Sequence, residues 1–501
     1  MNIINRIVNL IGKYRLSKIE FFKAHPKEAQ EKVFWSLVKK AKKTEWGEKY
    51  KYADFKSIAD FQKNVPISRY EEIYPYIHRM MHGERNVLWP GLIRWFAKSS
   101  GTTNARSKYI PVSRASIKKI HFKGGEDIAL LYLKNHPDSG ILLGKNMAVP
   151  GSLEKMSNKG IYFGDISAII IKNLPLWAKL LSGANTKTNL TKDWEEKTEK
   201  LAYMACQRDV RLIAGVPSWT AVLLKKFLEI ERTDNIFDIW PNLELFIHGG
   251  ISLKPYQHLF DELIPPGKIR YMEAYNASEG FFAMQDDLSK DDMLLMLDYG
   301  IFFEFVPLEE LGKEKPQAVT LEKVQLDKNY AIVISTNSGL WRYLIGDTIK
   351  FTSLKPYKIK ITGRTRSFIN TFGEELMVEN AEVAIHEAMK MTDSIVHEFT
   401  AAPMILNQSG GGFHEWVIEF EKEPKDFQRF KKVLDLKLRE VNSDYDAKRH
   451  KDLLLKQPLI QCVPKGTFYK WLKGKGKLGG QNKVPRLSNN REYIDDLMSL
   501  V

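Results

Sequence analysis

The spacing of apolar residues changes along the chain. Before residue 90 the apolar residues recur at helical spacing, and the pattern predicts helices over residues 26–43 and 58–64. From residue 94 onward helical and strand-like runs alternate, which is typical of layered α/β folds. The predicted helices there cover residues 113–133, 193–206 and 220–231, and the predicted strands cover residues 211–214, 243–247, 268–273 and 330–335.

The pattern changes again in the second half of the chain. After Met293 the apolar runs become longer and β-type, at residues 294–297 and 301–306, which predicts a β-rich subregion. Beyond residue 364 the pattern predicts a small α+β domain, with helices over 378–391 and 425–441 and strands over 394–400 and 416–421. We therefore expect an α/β protein with a large N-terminal domain (1–364) and a small α+β C-terminal domain (365–501).

Composition narrows the cellular context. The chain has 501 residues, of which 44% are hydrophobic and 27% are charged, as in an ordinary globular protein. Its two cysteines, Cys206 and Cys462, are far apart, which excludes a disulfide framework and a cysteine-built zinc site. No apolar run approaches the ~18 residues of a membrane span, and the N-terminus lacks the features of a signal peptide. We therefore expect a cytoplasmic protein without a transmembrane segment.

The formal net charge of +15 favours an anionic partner. The lysines are spread along the chain, with a denser basic segment only at residues 465–483, and no DNA- or RNA-binding motif is present. We therefore expect no nucleic acid; a general bias towards anionic ligands and a merely lysine-rich proteome are the two explanations of the charge that stay open. At the N-terminus, Ile3, Ile4, Ile7, Val8 and Ile11 fall on one helical face. This pattern predicts a helix docked on the protein surface, with contact to a membrane surface as the weaker alternative.

A cluster of hydroxyl side chains lies between two strand-like runs, at residues 94–97 and 109–112. The cluster, which we call the hydroxyl loop, comprises Ser99, Ser100, Thr102 and Thr103 around Gly101, with Lys98 and Lys108 on either side. Hydroxyls and backbone N–H groups can surround a polyphosphate. The spacing differs from that of a P-loop, so a Walker-type NTPase is not indicated. A simple turn between strands is the alternative interpretation.

Two further motifs carry features suited to a nucleotide. Gly249 and Gly250 follow a predicted strand, where glycines would let a flat ring approach the backbone. Their alternative is a plain strand-to-helix turn. Downstream, Tyr275 could stack on a base, the Ser278 hydroxyl could donate to a phosphate, and the Glu279 carboxylate could hold Mg²⁺. Ser278 lies one glycine short of a nucleophile elbow, which argues against a serine hydrolase.

A third motif ends in Gly346-Asp347. We interpret it as the end of one β-type run, at residues 341–347, followed by another at 348–351. An aspartate after a glycine at a strand end can accept hydrogen bonds from both hydroxyls of a ribose. A Gly-Asp hairpin turn is the alternative.

In their order along the chain, these motifs resemble those of the acyl-adenylating enzymes. Residues 363–374 resemble the hinge segment after which a small domain rotates in that superfamily. The details are similar to those of the Gretchen Hagen acyl acid–amido synthetases, bacterial type, over residues 60–490. They are Ser99 to Thr103 with Lys108, Tyr275 to Gly280, Phe302-Phe303-Glu304-Phe305, and Gln481 to Arg486.

The resemblance implies a ligase that uses ATP and Mg²⁺. A carboxylic acid would form an acyl-adenylate with release of pyrophosphate, and the amine of an amino acid would then attack it to form an amide. The resemblance implies these roles: Ser99, Ser100, Thr102 and Thr103 at the phosphates; Gly249, Gly250 and Tyr275 at adenine; Asp347 at ribose; Glu279 at Mg²⁺; and Lys483 at the acyl–phosphate, with Lys470 as its alternative.

This sequence departs from the family pattern at three positions. Asn104 replaces a common glycine, Phe302 replaces a tyrosine near the nucleotide, and Arg366 replaces the usual hinge aspartate. Two other functions remain open: transfer of the acyl group to coenzyme A or a carrier thiol, and non-catalytic binding of a nucleotide or acid. The partners implied are a small carboxylic acid and an amine.

Overall fold

The computed structural model gives the fold over most of the chain. It describes residues 3–99, 108–148, 151–157, 160–183, 194–250, 253, 257–311, 313–365, 368–369, 371–372, 374, 376–405, 412–449, 455–475 and 484–501. The chain divides into two compact units: a large unit, which takes most of the first 360 residues, and a small unit, which takes residues 346–349 and 361–501. The domain limits 1–364 and 365–501 stay a prediction.

Helices of the large unit cover most of the positions predicted for them. They are α1 (Ile3–Ala24), α2 (Pro26–Ala41), α3 (Glu45–Lys49), α4 (Ile58–Asn64), α5 (Tyr70–Met81), α6 (Arg114–Ser116), α7 (Lys123–Asn135), α8 (Ile166–Asn173), α9 (Leu176–Leu181), α10 (Trp194–Cys206), α11 (Pro217–Glu231), α12 (Ile236–Ile239) and α13 (Gln257–Leu263). A π-helical turn, Ile117–Phe122, joins α6 to α7. The predicted bounds of α4 are confirmed, because Ser57 caps its first turn and accepts a hydrogen bond from the backbone N–H of Asp60.

The strands up to residue 364 follow the predicted alternation. They are β1 (Trp95–Ser99), β2 (Lys108–Val112), β3 (Lys145–Ala148), β4 (Leu153–Ser157), β5 (Ile161–Gly164), β6 (Val210–Gly215), β7 (Leu245–His248), β8 (Arg270–Ala277), β9 (Gly280–Met284), β10 (Met293–Leu295), β11 (Ile301–Pro307), β12 (Val319–Thr320), β13 (Asn329–Thr336), β14 (Tyr343–Leu354) and β15 (Tyr357–Arg364). The predicted β-rich subregion after Met293 is thereby confirmed.

Among the described residues the largest sheet has eleven strands, in the order β12-β11-β13-β14-β15-β10-β9-β8-β7-β6-β3. Strands β3, β6, β7 and β8 are parallel, whereas β9 pairs with β8 antiparallel. A second sheet has the order β2-β1-β5-β4. The parallel part is the α/β half of the sheet, and its carboxyl edge is where such sheets bind ligands.

An apolar core joins the parallel strands to the helices that cover them. Leu224 and Phe227 of α11 pack with Trp240, Phe246 and Phe260, and each of these side chains is fully buried. The helical positions recur every three or four residues, and the strand contributes alternate positions. This packing fixes the carboxyl ends of β6 and β7 relative to each other.

The small unit is α+β, as predicted. Its helices are α14 (Val378–Thr392), α15 (Phe427–Val441), α16 (Ser443–Arg449), α17 (Thr467–Gly474) and α18 (Glu492–Met498), and its strands are β16 (Phe368–Ile369), β17 (Leu376–Met377), β18 (Ile395–Ile405), β19 (Gly412–Lys422) and β20 (Leu459–Val463). Strand β19 pairs antiparallel with β18 and parallel with β20. Apolar residues of α14 and α15 pack against Phe399 and Trp416.

One prediction about the strands is wrong. Gly346-Asp347 is neither a strand end nor a hairpin turn, because β14 continues through both residues. Gly346 adopts a φ of 98°, which only a residue without Cβ adopts freely, so the strand passes a local distortion without ending. Chain reversal occurs eight residues later, between β14 and β15. No described helix is long and apolar enough to cross a membrane.

Candidate nucleotide-binding site

A β-hairpin carries Ser278 and Glu279. Strand β8 extends past its predicted end to Ala277, which pairs with Gly280, the first residue of β9. Ser278 and Glu279 are therefore the two central residues of a tight turn. Both are buried, with 6% and 8% of their surface exposed. A nucleophile elbow needs a strand followed by a helix, so this hairpin excludes that role for Ser278.

Gly249 and Gly250 lie next to this hairpin. Strand β7 pairs with β8 so that His248 faces Glu273 and the next residue, Gly249, lies beside Ala274. A Cβ atom on Gly249 would be 2.2 Å from the carbonyl oxygen of Ala274. Gly250 has a φ of 82°, in the left-handed region. The sequence pattern indicated that both glycines make room for a ligand. The close contact with the neighbouring strand is by itself enough to require a glycine at position 249.

Tyr275 lies on the same strand as Ala274 and completes this group. Its side chain is 4% exposed, and its ring centroid is 4.8 Å from that of Phe282. The aromatic contact and the strand register fix the ring position. The structure thus brings the two glycines, Tyr275, Ser278 and Glu279 together within the β7–β8–β9 region of the large unit.

Two polar atoms that sequence reasoning missed lie at the same sheet edge. His248 ends β7 opposite Gly215 of β6, and a Cβ on Gly215 would be 2.6 Å from Oγ1 of Thr220. Within the described residues, neither His248 Nδ1 nor Thr220 Oγ1 has a hydrogen-bond partner, although both are buried. Burial lowers the pKa of His248 to about 4, so the imidazole is neutral at pH 7. The sequence carried a signal for His248, which directly follows the predicted strand 243–247, but none for Thr220, which lies in the first turn of α11.

The two ends of the hydroxyl loop are held by paired strands. Ser99 ends β1 and pairs with Lys108, the first residue of β2. The ammonium of Lys108 lies 5.4 Å from the ring centroid of Tyr70, whose hydroxyl accepts a hydrogen bond of 2.7 Å from the backbone N–H of Tyr109. The predicted phosphate ligands Ser100, Thr102 and Thr103, with the departure at Asn104, lie outside the described residues.

Asp347 belongs to the small unit. Its side chain is mostly buried in β14, and its Oδ1 lies 3.2 Å from Nε of Arg364. The backbone N–H of Thr365 donates a 2.7 Å hydrogen bond to the carbonyl oxygen of Gly346. The ion pair and the backbone bond connect β14 to the start of the predicted hinge segment. The hinge departure Arg366 lies outside the described residues.

Phe302 lies in the protein interior. It is 2% exposed, and its ring centroid is 5.0 Å from that of Phe34 and 6.5 Å from that of Phe61. The packing explains the apolar character of Phe302 as part of an aromatic cluster, and its contact with a nucleotide stays a prediction.

A buried ion pair next to Phe302 escaped the sequence analysis. Arg342 donates from Nε and Nη2 to the two carboxylate oxygens of Glu304, at 3.0 and 2.9 Å. Its Nη1 donates to the backbone carbonyls of Gln62 and Val65 at 2.8 and 2.6 Å. Arg342 has a φ of 42°, a left-handed conformation that is uncommon outside glycine. This fork joins β11 to the segment before β14.

In the small unit a second buried pair holds the end of the hinge segment. His414 Nε2 donates a 2.8 Å hydrogen bond to Oε1 of Glu374, and both side chains are fully buried. Burial alone would raise the pKa of Glu374, but its hydrogen bonds, first of all that from His414, lower it below its ordinary value. Asn442 Nδ2 also donates to the backbone carbonyl of Glu374 at 3.0 Å.

The structure describes one of the two candidate lysines. Lys470 lies on the exposed side of α17, in the small unit. Lys483 lies outside the described residues. Nearby, Arg486 donates to both carboxylate oxygens of Glu398, at 2.9 and 3.1 Å, so the segment that follows Lys483 is bound to β18.

Curated proteins similar to this chain over nearly its full length are amido synthetases and ligases. It is 23% identical to a putative indole-3-acetic acid-amido synthetase of Arabidopsis thaliana, with 94% of this chain and 93% of that protein covered. It is also 23% identical to the 4-substituted benzoates-glutamate ligase of Arabidopsis thaliana, covering 95% of each chain. For the jasmonoyl–L-amino acid synthetase of Nicotiana attenuata the identity is 21%, with 93% and 92% covered.

Solved structures show the same architecture. A GH3.15 acyl acid amido synthetase matches with a TM-score of 0.77 at 18% identity, covering 97% of this chain and 95% of that chain. A 2-hydroxyisobutyryl-CoA ligase in the postadenylation state matches with a TM-score of 0.59 at 13% identity, covering 95% and 91%. These likenesses confirm the predicted α/β fold with its large N-terminal and small C-terminal parts.

Three family models match consecutive parts of the chain. The GH3 family N-terminal domain matches residues 15–269, the central domain matches residues 294–364, and the C-terminal domain matches residues 379–492. The central match ends and the C-terminal match begins on either side of the segment from Thr365 to Val378. Together the matches cover most of the sequence, and the chain belongs to the GH3 family.

Proposed function

We propose that this protein is an ATP-dependent acyl acid–amido synthetase, a ligase of the adenylate-forming type. An oxygen of the substrate carboxylate attacks the α-phosphorus of ATP, and the bond to the β-phosphate breaks, giving an acyl-adenylate and pyrophosphate. The nitrogen of an amine, as in an amino acid, then attacks the acyl carbon. The C–O bond to AMP breaks, the nitrogen loses a proton, and the products are an amide and AMP.

The observation that carries this proposal is the β7–β8–β9 region in a chain matched by all three GH3 family domains. The hairpin holds a carboxylate and a hydroxyl at its turn, and the glycine pair lies beside the buried tyrosine. Strand register fixes these groups before any ligand binds. Preorganised groups stabilise developing charge without the cost of reorganisation.

We assign the nucleotide contacts of the large unit as follows. Gly249, Gly250 and Tyr275 bind adenine, and the Ser278 hydroxyl donates to a phosphate oxygen. Glu279 is the carboxylate ligand of Mg²⁺, and its oxygens suit that ion. When bound, Mg²⁺ neutralises charge on the leaving pyrophosphate.

The remaining contacts rest on the hydroxyl loop and the small unit. Ser99, Ser100, Thr102 and Thr103 bind the β- and γ-phosphates, and Asp347 accepts hydrogen bonds from the ribose hydroxyls. The ion pair with Arg364 holds the side chain of Asp347 in place on β14. Lys483 places a positive charge at the acyl–phosphate during the first half-reaction, with Lys470 as the alternative.

The unpartnered Nδ1 of His248 and Oγ1 of Thr220 are available to the acid or the amine. Buried polar atoms without partners are rare in native proteins, so a ligand at the carboxyl edge of β6 and β7 would satisfy them. The substrates are a small carboxylic acid and an amine, and the scarcity of cysteine supports a cytoplasmic site of action.

The test is pyrophosphate release from ATP–Mg²⁺ across a broad panel of carboxylic acids without an acceptor. Release that depends on one class of acid is expected. Adding amino acids or coenzyme A to the same reactions then separates amide formation from thioester formation. If no acid supports pyrophosphate release, adenylation is contradicted and a non-catalytic binding protein is favoured. If the product is a thioester, the acceptor is a thiol and not an amine.

A further inference from the structure

Helix α1 presents two different faces. Its inner face is fixed on the large unit, since Asn5 Nδ2 donates to the carbonyls of Pro137 and Ser139 at 3.0 and 2.7 Å. Farther along, Arg15 forms an ion pair of 2.6 Å with Asp127. The aliphatic and aromatic side chains of Ile19 and Phe22 are buried. These contacts define how the helix is oriented on the large unit, and they therefore determine which of its residues face outward.

The outer face of α1 is apolar. Ile7, Leu10, Ile11 and Tyr14 are 50%, 65%, 74% and 73% exposed. They recur at intervals of three or four residues, so they form one stripe along the helix, and Phe21, 40% exposed, continues it. Contiguous exposed apolar surface of this kind marks an interaction site.

Positive charge surrounds this apolar stripe. The exposed residues Arg6, Lys13 and Lys18 form no ion pair within the described part of the chain, and Lys18 Nζ lies 5.1 Å from the ring centroid of Tyr14. Glu20 is the only acidic residue of α1, and it pairs with Lys134 at 3.1 Å. An apolar stripe bordered by uncompensated cations fits an anionic, apolar partner.

A second exposed apolar helix, α9, is joined to the start of β3. Leu176, Trp177 and Leu180 of α9 are 81%, 54% and 72% exposed, and α9 carries the exposed Lys179. Lys145 Nζ donates to the carbonyl of Leu180 at 2.5 Å, while Asn5 of α1 contacts residues 137–139. Both helices thus flank the segment 137–145, whose Leu143 is 47% exposed.

We propose that α1 and α9 form a surface that binds the anionic face of a lipid bilayer. The apolar stripe enters the headgroup region with α1 parallel to the membrane plane, and Arg6, Lys13 and Lys18 contact lipid phosphates. Tyr14 and Trp177 are amphipathic rings of the type that concentrates at the membrane–water interface. A second copy of the chain fits less well, because a symmetric contact through α1 would bring like charges together.

The proposal is tested by flotation of the full-length protein with lipid vesicles. Binding is expected to vesicles that contain phosphatidylglycerol, weakening with added salt, and not to vesicles of phosphatidylcholine alone. The double variant Ile11→Glu/Tyr14→Glu should lower the vesicle partition coefficient by about 100-fold or more, since it replaces apolar anchors by negative charge. Trp177→Glu should have a smaller effect in the same direction.

The matched control is Leu436→Glu, an exposed leucine on α15 of the small unit, which should bind vesicles as the wild type does. Unchanged thermal unfolding of the α1 variant shows that a loss of binding is not a loss of folding. Wild-type protein that binds no anionic vesicle overturns the proposal, as does a double variant that binds normally. A dimer that dissociates in the variant, without vesicle binding, assigns the surface to a second copy and also overturns it.

Discussion

The β8–β9 hairpin of the large unit and the basic segment of the sequence at residues 465–483 carry different kinds of candidate functional side chain. Glu279 is 8% exposed and fixed by strand register, whereas Lys470 is an exposed cation on a short helix. Burial and register preorganise a binding group, and an exposed lysine keeps its charge hydrated until it is used. We therefore expect changes in the hairpin to affect nucleotide binding, and changes in the basic segment to affect only the chemical step.

The sharpest test of this comparison is Lys483→Ala. We expect pyrophosphate release to fall by more than about 10³-fold, because a positioned charge at the acyl–phosphate is lost. The dissociation constant for ATP, measured by calorimetry, should stay within about threefold of the wild-type value, because the lysine is expected to act in the transition state and not in the binding of ATP. The control is Lys470→Ala. If Lys483→Ala releases pyrophosphate at the wild-type rate and Lys470→Ala does not, the roles of the two lysines are exchanged.

The contribution of the buried ion pair between Arg342 and Glu304 to the stability of the large unit can be tested with Arg342→Met. This change leaves Glu304 buried without its fork partner, and we expect the free energy of unfolding to fall by about 3 kcal/mol or more. Denaturant unfolding monitored by circular dichroism measures it. Arg211→Met is the control, because its partner Asp209 is exposed and such pairs contribute ~1 kcal/mol or less. Equal losses in the two variants would refute a special role for the buried pair.

Glu279→Gln keeps the shape of the hairpin turn and removes its charge. We expect the apparent affinity for ATP–Mg²⁺ to weaken and kcat/KM for pyrophosphate release to fall by about 100-fold, because a hard anionic ligand of the metal is lost. The difference should shrink as the Mg²⁺ concentration rises. Glu262→Gln, an exposed carboxylate on α13, is the control. A variant that retains both affinity and rate would remove Glu279 from the metal site.

The smallest expected effect is on the pH dependence of stability, and it comes from His248, the neutral histidine beside Gly249 and Gly250. Its folded pKa of about 4 lies below the ordinary 6.5, so the unfolded state binds more protons in between. Stability is therefore full above pH 6.5 and falls as the pH decreases toward 4, by about 1.4 kcal/mol at about pH 5.5 for one such group. His121, whose pKa burial also lowers to about 4, adds a loss of the same sign.

Thermal unfolding across this pH range measures the effect. His248→Phe should reduce the slope of stability against pH, whereas the exposed His397→Gln should not change it. An unchanged slope in His248→Phe would contradict the prediction, because it would mean that burial does not lower the pKa of His248.

The sequence predicted the element types well because periodicity reports which face of an element is buried. It predicted α4 to the residue and the presence of strands β6, β7 and β8, and from motif order it predicted the family. It failed at Gly346-Asp347, because glycine and aspartate are typical turn residues and only the neighbouring strands show that β14 continues.

Pairing between distant residues could not be predicted from the sequence. Glu304 and Arg342 were both visible within motifs, but they are 38 residues apart, and nothing local indicates that they face each other. The same holds for Glu374 and His414, which are 40 residues apart in the sequence. The roles of Lys483 and of the hydroxyl loop stay predictions.

The anchoring of α1 has a practical consequence for anyone who shortens or tags the protein. Arg15 bonds to both Asp127 and Asp298, so removing the first 24 residues would take one of the two cations that the structure describes at these carboxylates and leave Lys123. A trimmed protein would then lose solubility and yield for reasons unrelated to catalysis.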